Sequence, residues 1–244
     1  MEAKKFIKGE EEEEEESIGI KEESEKPPYL VDIKPIDIND YQLHETIGQG
    51  RFGQVFRISS KKTKELFAAK MFSYYKSEKD IFIQENIIHS HLSHPSISKY
   101  IGYSPFGFKN MNGPVIITEY YKNGTLFQLL EKERKSLNDD GWNDTMKLIN
   151  AIGIATAMAY LHSINILHRD LKTSNIFIDE YFHPFVGDFG ISKVLNNGDE
   201  EIYEDSGAYF GTAPYMAPEI IRDNKYSKKS DVYSFSMILY ELFD

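Results

Sequence analysis

Ile166-Leu167-His168-Arg169-Asp170-Leu171-Lys172-Thr173-Ser174-Asn175-Ile176-Phe177-Ile178-Asp179 is the stretch whose reading decides the fold. Apolar, β-favouring residues bracket a loop that carries His168, Asp170, Lys172 and Asn175. Thirteen residues past Asn175, a second β-rich stretch ends in Asp188-Phe189-Gly190. The two stretches together supply a candidate base in Asp170 and candidate metal-binding oxygens on Asn175 and Asp188. Phosphoryl transfer asks little covalent chemistry of a protein, so carboxylates, an amide and ammonium groups suffice for it.

Outward from that loop, the chain reads as a globular part behind an acidic leader. With 41% hydrophobic and 27% charged residues, 244 residues can bury a sizeable core. No run approaches the roughly 18 apolar residues that span a bilayer, and Met1-Glu2-Ala3-Lys4-Lys5 leads into acid rather than into an apolar signal segment. The absence of cysteine excludes disulfides and thiolate sites and fits a reducing compartment, so a cytoplasmic placement is expected. A net charge of -11 argues against nonspecific nucleic-acid or anionic-membrane partners, which want a basic surface. Residues 1–26 hold eleven Asp/Glu and five Lys, including the run Glu10 to Glu16. Such a run repels itself and buries nothing, so residues 1–40 are expected to be a disordered acidic tail and an extended linker after Pro27-Pro28.

From Tyr41 the pattern is one of short strands: Tyr41 to Ile47, Gln54 to Ile58 and Leu66 to Phe72, an antiparallel meander. Gly48, Gly50 and Gly53 fall in its first turn. Taken alone, GxGxxG is equally open to a dinucleotide site, but that fold needs a helix after the glycines, and Gln54 to Ile58 reads as a strand. Lys70 ends an apolar strand, where a hydrated ammonium needs a partner inside or a path to solvent. Asp80 to Leu92 has helical spacing at Ile81, Ile83, Ile87, Ile88 and Leu92, and Glu85 lies within it. His89, His91 and His94 do not read as a metal site, because residues two apart on a helix face different ways and His94 precedes Pro95. Trp142 to His162 is expected as a long helix, with Leu148, Ile149, Ile152, Ala155, Met158, Ala159 and Leu161 on its apolar face.

The ordered set of glycine loop, Lys70, Glu85, His168-Arg169-Asp170, Asp188-Phe189-Gly190 and Ala217-Pro218-Glu219 resembles a eukaryotic protein kinase over residues 41–244. The resemblance implies an α+β, two-lobed fold: an N-lobe at 41–121 with a five-stranded antiparallel sheet and one helix, and a mainly helical C-lobe at 122–244. It implies ATP and Mg²⁺ as cofactors and a protein hydroxyl as acceptor. Ile47, Gly48, Gln49, Gly50, Arg51, Phe52 and Gly53 would fold over the phosphates. Lys70, held by Glu85, would contact them. Val55, Ala68 and Phe177 would sandwich the adenine, with Thr118 behind it and the backbone of Glu119 and Tyr121 at its edge. Asp170 would act as base, Lys172 would neutralise the transferred group, and Asn175 and Asp188 would hold the metal.

Asp170-Leu171-Lys172, with Gly211-Thr212 ahead of Ala217, resembles serine/threonine kinases, and Tyr215-Met216-Ala217-Pro218-Glu219 resembles their tyrosine-kinase-like branch; dual specificity stays open. Ser192, Tyr203, Ser206, Tyr209 and Thr212 are candidate phosphosites, with Arg169 as the partner of a phosphate there. The chain departs from the pattern twice. His89 stands where an apolar side chain is usual, which would weaken or pH-tune the active arrangement. The apolar helix from Asp231 to Phe243 is followed only by Asp244, so the C-lobe is expected to end early. Val232, Phe235, Ile238, Leu239 and Leu242 would then lie uncovered and Glu219 would lack its arginine. The alternative function is therefore a truncated, noncatalytic module that binds nucleotide or a protein partner, and kinase activity is expected to be weak or absent unless a partner or additional C-terminal residues cover that helix.

Overall fold

The computed structural model describes residues 33, 35–50, 53–73, 76–109, 111–137, 141–196, 198–204 and 209–244. The acidic leader, Arg51, Phe52 and Ser206 lie outside these described residues.

Strands β1 (Tyr41–Gly50), β2 (Gly53–Ser60) and β3 (Leu66–Met71) form the expected meander, helix α1 (Lys76–Ser90) follows, and β4 (Tyr100–Ser104) and β5 (Val115–Glu119) complete a sheet of order β1-β2-β3-β5-β4. Every pairing is antiparallel. Side chains alternate across a strand, so the register decides what faces the site. Phe56, Ile58, Ala69, Val115 and Ile117 pack into one core on the outer face. Val55 pairs with Lys70, Lys70 with Ile116 and Ala68 with Thr118, all on the opposite face. There Ile116 joins Phe72, Phe82 of α1 and Tyr103 in a second core that fixes the helix to the sheet. Gly53 closes the β1–β2 hairpin at φ +146°, where a Cβ would fall 2.0 Å from the Met71 carbonyl oxygen, so only glycine fits.

The second half is mainly helical, and with the first it makes the expected two-lobed α+β arrangement. Helix α2 (Leu126–Arg134) starts at a reciprocal cap between Thr125 and Gln128. Helix α3 (Asp144–Ser163) starts at Asn143, whose side-chain oxygen accepts from the Thr145 and Met146 N–H groups. Three two-stranded ladders follow: β6 (Ile166–Leu167) pairs with β9 (Lys193–Val194), β7 (Ile176–Ile178) with β8 (Pro184–Val186), and β10 (Glu201–Tyr203) with β11 (Lys225–Ser227). The short helix α4 (Pro218–Asp223) precedes β11, and α5 (Lys228–Phe243) ends the described chain. A single large core joins α2, α3, α5, β7 and β8.

Two helical faces differ from the sequence expectation. In α3 the buried residues are Asn150, Ala151, Ile154, Ala157, Met158 and Leu161, while Leu148 is 54% and Ile152 56% exposed. Asn150 accounts for the rotation of the face: it reads as a surface residue, yet it is buried with its Nδ2 donating to the Met146 and Phe182 carbonyls, while its Oδ1 has no partner among the described residues. In α5, Ile238 and Leu242 are fully buried and Phe235 and Leu239 pack against the large core. Of the five residues expected to lie uncovered, only Val232 does, at 58% exposure, with Tyr240 and Phe243 beside it among the exposed residues. The helix turns its 231, 234, 238 and 242 positions inward, a narrower buried stripe than an all-round apolar helix needs.

Candidate active site

Leu167 and Leu171 are fully buried and pin the two ends of the loop that carries Asp170. Between them Asp231 of α5, 2% exposed, reaches up with both oxygens: Oδ2 accepts from the His168 N–H (2.9 Å) and Oδ1 from the Arg169 N–H (3.0 Å). His162 Nε2 lies 2.9 Å from the same Oδ2. This grip holds Arg169 at φ +69°, a left-handed conformation that is unfavourable for arginine, and turns Asp170 outward. Asp170 Oδ1 accepts from the Thr212 hydroxyl (2.7 Å), and its Oδ2 faces Lys172 Nζ (2.7 Å). Lys172 also donates to the Thr212 hydroxyl (2.8 Å), so carboxylate, ammonium and hydroxyl close a triangle. Asn175 Nδ2 donates to the Asp170 carbonyl oxygen (2.8 Å) and to Oδ2 (3.2 Å).

Lys70 meets two carboxylates: Glu85 of α1 (Nζ to Oε2 2.7 Å, Oε1 3.0 Å) and Asp188 (Nζ to Oδ1 2.6 Å). Burial alone would push the Lys70 ammonium down, but Asp188 and Glu85 outweigh it and raise it. Burial also acts first on the carboxyls. It pushes Glu85 up, with the Asp188 charge adding and Lys70 offsetting in part, whereas at Asp188 the lysine outweighs burial and holds the carboxyl below its ordinary range. One ammonium is shared by two carboxylates, Glu85 buried and Asp188 about a third exposed, and this excess of carboxylates over ammonium groups is the environment that attracts a cation. Gly190 allows this approach, since a Cβ there would stand 3.0 Å from Glu85 Oε2. Asp188 is tied to the first loop by backbone: Gly187 N–H donates to the Asn175 carbonyl (2.9 Å), and Gly187 O lies 3.1 Å from His168 Nε2.

Phe189 is fully buried between two imidazoles, with ring centroids 4.9 Å from His89 and 5.4 Å from His168. His89 Nε2 lies 2.6 Å from the Ser98 carbonyl oxygen. The other two histidines go elsewhere: His91 Nδ1 lies 2.7 Å from the Ile87 carbonyl, and His94 stacks on Tyr160. Burial holds His89 down at about 4, with Lys70 lowering it further against the Ser98 carbonyl and Asp188. In the unfolded chain it titrates near 6.5, so below that pH the unfolded state takes a proton that the folded state refuses. Its contribution to stability is present above pH 6.5 and is lost as pH falls towards 4. Glu85, raised to about 7, titrates with the opposite sign over the same window. The expected result is therefore a difference: relative to His89→Leu, the wild type loses about 3 kcal/mol between pH 7 and pH 4 in urea unfolding. A constant difference across that range would show His89 to titrate normally.

The remaining sequence-predicted residues fall on the sheet face and the connection after β5. Gly48, Gln49 and Gly50 lie in β1 opposite Val55, Gln54 and Gly53, and Ile47 is partly exposed beside them. Val55 and Ala68 share the inner face with Lys70. The Glu119 N–H donates to the Lys99 carbonyl. Tyr121 is buried, accepts from the Lys99 N–H (3.1 Å) through its hydroxyl, stacks on Phe177 (5.7 Å, 8°) and lies tilted against Phe185 (4.5 Å, 31°). Among the candidate phosphosites, Ser192 is fully buried and its hydroxyl donates to the His168 carbonyl, whereas Tyr203 and Tyr209 are exposed. Thr212 is engaged with Asp170 and Lys172. Arg169 faces Glu204, with Nη2 and Oε1 2.9 Å apart. Sequence reasoning did not assign Asp231, His162 or Glu204 to this site. Of these, Asp231 carried a local signal, a lone carboxylate in the first turn of an apolar helix, but that reads equally as a helix-dipole partner.

The family model for the protein kinase domain matches residues 41–244. A probable serine/threonine-protein kinase of Dictyostelium discoideum is 32% identical over 224 residues, 88% of this chain and 16% of its own. Serine/threonine-protein kinase TNNI3K of Rattus norvegicus is 34% identical over 217 residues, 85% of this chain and 24% of its own. Tyrosine-protein kinase FRK of Homo sapiens is 34% identical over 215 residues, 87% of this chain and 40% of its own. The chain thus spans less than half the length of each of these relatives. A match over all eleven described strands, the five α-helices and every segment of the site leaves one conclusion: this chain belongs to the protein kinase domain family.

Proposed function

We propose that the chain is an ATP-dependent serine/threonine protein kinase that transfers the γ-phosphoryl group of Mg-ATP to a protein hydroxyl. The observation that carries this reading is the convergence of Lys70, Glu85 and Asp188 from three separate segments beside the Asp170–Lys172–Thr212 triangle. Residues 41–121 and 122–244 serve as the lobes, with the nucleotide between them. Lys70, oriented by Glu85, binds phosphate oxygens. The glycine loop covers them through its backbone, and Val55, Ala68 and Phe177 flank the base. Asp170 accepts the proton of the incoming hydroxyl, and Lys172 offsets charge on the transferred group. Asn175 commits its amide nitrogen to Asp170, which leaves Oδ1, and this oxygen with the Asp188 carboxylate makes a hard donor set suited to Mg²⁺. The metal, when bound, neutralises charge on the phosphates. Thr212, bonded to both Asp170 and Lys172, supports a serine or threonine acceptor, in line with the serine/threonine kinases among the relatives.

Transfer of labelled γ-phosphate from ATP to a protein acceptor tests the activity, and thermal unfolding tests the binding. Saturating Mg-ATP is expected to stabilise the chain by about 2.7 kcal/mol at a hundredfold excess over Kd. Lys70→Met and Asp188→Asn are each expected to remove most of that shift, whatever they do to the melting temperature of the free protein. Equal shifts in all three proteins would sink the assignment of these residues. A normal shift without any transfer would favour the noncatalytic binding module.

A further inference from the structure

Arg169 precedes Asp170 and is a buried cation, its side chain 4% exposed. Its guanidinium carbon lies 4.7 Å from the Phe210 ring centre and 4.5 Å from that of Tyr226, so rings close over it on both counts. A charge sealed in this way demands an anion, because an unpaired buried cation is strongly destabilising. The structure supplies one from the segment after β10: Glu204 Oε1 stands 2.9 Å from Arg169 Nη2, an ion pair without an aligned hydrogen bond, and 3.1 Å from Lys193 Nζ, which donates to it. Glu204 is itself fixed. It directly follows β10, its N–H donates to the Asn224 carbonyl (3.3 Å), and its own carbonyl accepts from Asn224 Nδ2 (2.5 Å). Downstream, the Tyr226 hydroxyl clasps the Phe210 backbone, accepting from its N–H (2.7 Å) and donating to its carbonyl (3.0 Å). Thr212, two residues further on, is the hydroxyl that reaches Asp170 and Lys172.

We propose that Glu204 is a positioning residue for Asp170: its carboxylate holds Arg169 and Lys193, and so sets both the loop that presents Asp170 and the segment that delivers Thr212. The two cations form a site for one anion, and the chain fills it with its own carboxylate. No phosphoryl group on Tyr203, Tyr209 or Thr212 is then required to assemble the site. The proposal rests on the kinase reading above.

Glu204→Ala and the shape-preserving Glu204→Gln, assayed with labelled ATP and a serine-containing protein acceptor, are expected to lose about 10²-fold in kcat, the scale of a misplaced reacting group. KM for ATP should change little, since Lys70, Glu85 and Asp188 do not touch Glu204. Glu204→Asp should recover most of the rate. Millimolar acetate, a free carboxylate, should raise the rate of Glu204→Ala and leave the wild type and the Glu204→Ala/Arg169→Ala double variant unchanged. Wild type treated with a protein phosphatase should keep its full rate. A Glu204→Ala enzyme with wild-type kcat overturns the proposal, as does a loss that neither aspartate nor acetate repairs, or a wild type that loses its rate on dephosphorylation. If the wild type transfers no more phosphate than Asp170→Asn, the kinase reading fails instead. Glu204 is then judged by melting temperature: acetate should raise that of Glu204→Ala but not of the double variant, and no rise overturns the proposal.

Discussion

Asp170→Asn is expected to lower the rate of phosphoryl transfer by about 10²-fold or more, the effect of losing a positioned general base, while Mg-ATP still raises the melting temperature. The substitution keeps the shape and removes both the charge and one acceptor. The carboxylate receives the Thr212 hydroxyl on Oδ1 and faces the Lys172 ammonium and the Asn175 amide on Oδ2. All three neighbours are donors. An asparagine must turn its own NH2 towards one of them, so a donor then opposes a donor, and the triangle loosens in addition to losing its base. Single-turnover measurement with saturating labelled ATP separates this from a change in nucleotide affinity. A rate equal to wild type would move the role of base to another residue.

The second large effect is on stability. Asp231→Ala is expected to destabilise the protein by roughly 3 to 5 kcal/mol, because it leaves the buried N–H groups of His168 and Arg169 without acceptors and removes the anion beside His162. That is a large share of the roughly 5 to 15 kcal/mol that holds a domain together. Asp231→Asn, which retains one acceptor oxygen, should show about half the loss, since one backbone N–H keeps its partner. Urea unfolding of the three proteins measures it. A midpoint for the alanine variant close to that of the wild type would mean that water enters and replaces the carboxylate.

What the sequence made legible follows from the range of the interactions. The meander of β1 to β3, the glycine turn and the polar residues from Asp170 to Asp188 are written in residues within a few positions of one another, so spacing alone places them. Lys70 was legible as an ammonium needing a partner or a path to solvent, the resemblance named Glu85 as that partner, and Asp188 joins them as a second carboxylate. The face of α3 was misread because Asn150 is polar by type and buried by circumstance, its amide matched by two carbonyls, one of them thirty-two positions away. Arg169 was read as the partner of a phosphate, and the carboxylate that faces it, Glu204, went unread because it is one of several acids in that loop and only the β10–β11 pairing singles it out. Tyr121 was read through its backbone. Its ring also stacks on Phe177 and tilts against Phe185 while its hydroxyl accepts from the Lys99 N–H, so one side chain bridges the segment before β4 and the β7–β8 ladder.

The grip of Asp231 on the loop has a consequence in time. The N–H groups of His168 and Arg169 find their acceptor 63 and 62 residues further along the chain. At a synthesis rate of about 5 to 20 residues per second, the ribosome reaches Asp231 roughly 3 to 12 s after Arg169. During that interval the left-handed turn at Arg169 has nothing to impose it, and Asp170 has no fixed direction. The reactive loop is thus made well before it acquires its working shape, and a nascent chain that has not yet reached α5 carries the loop's sequence without its geometry.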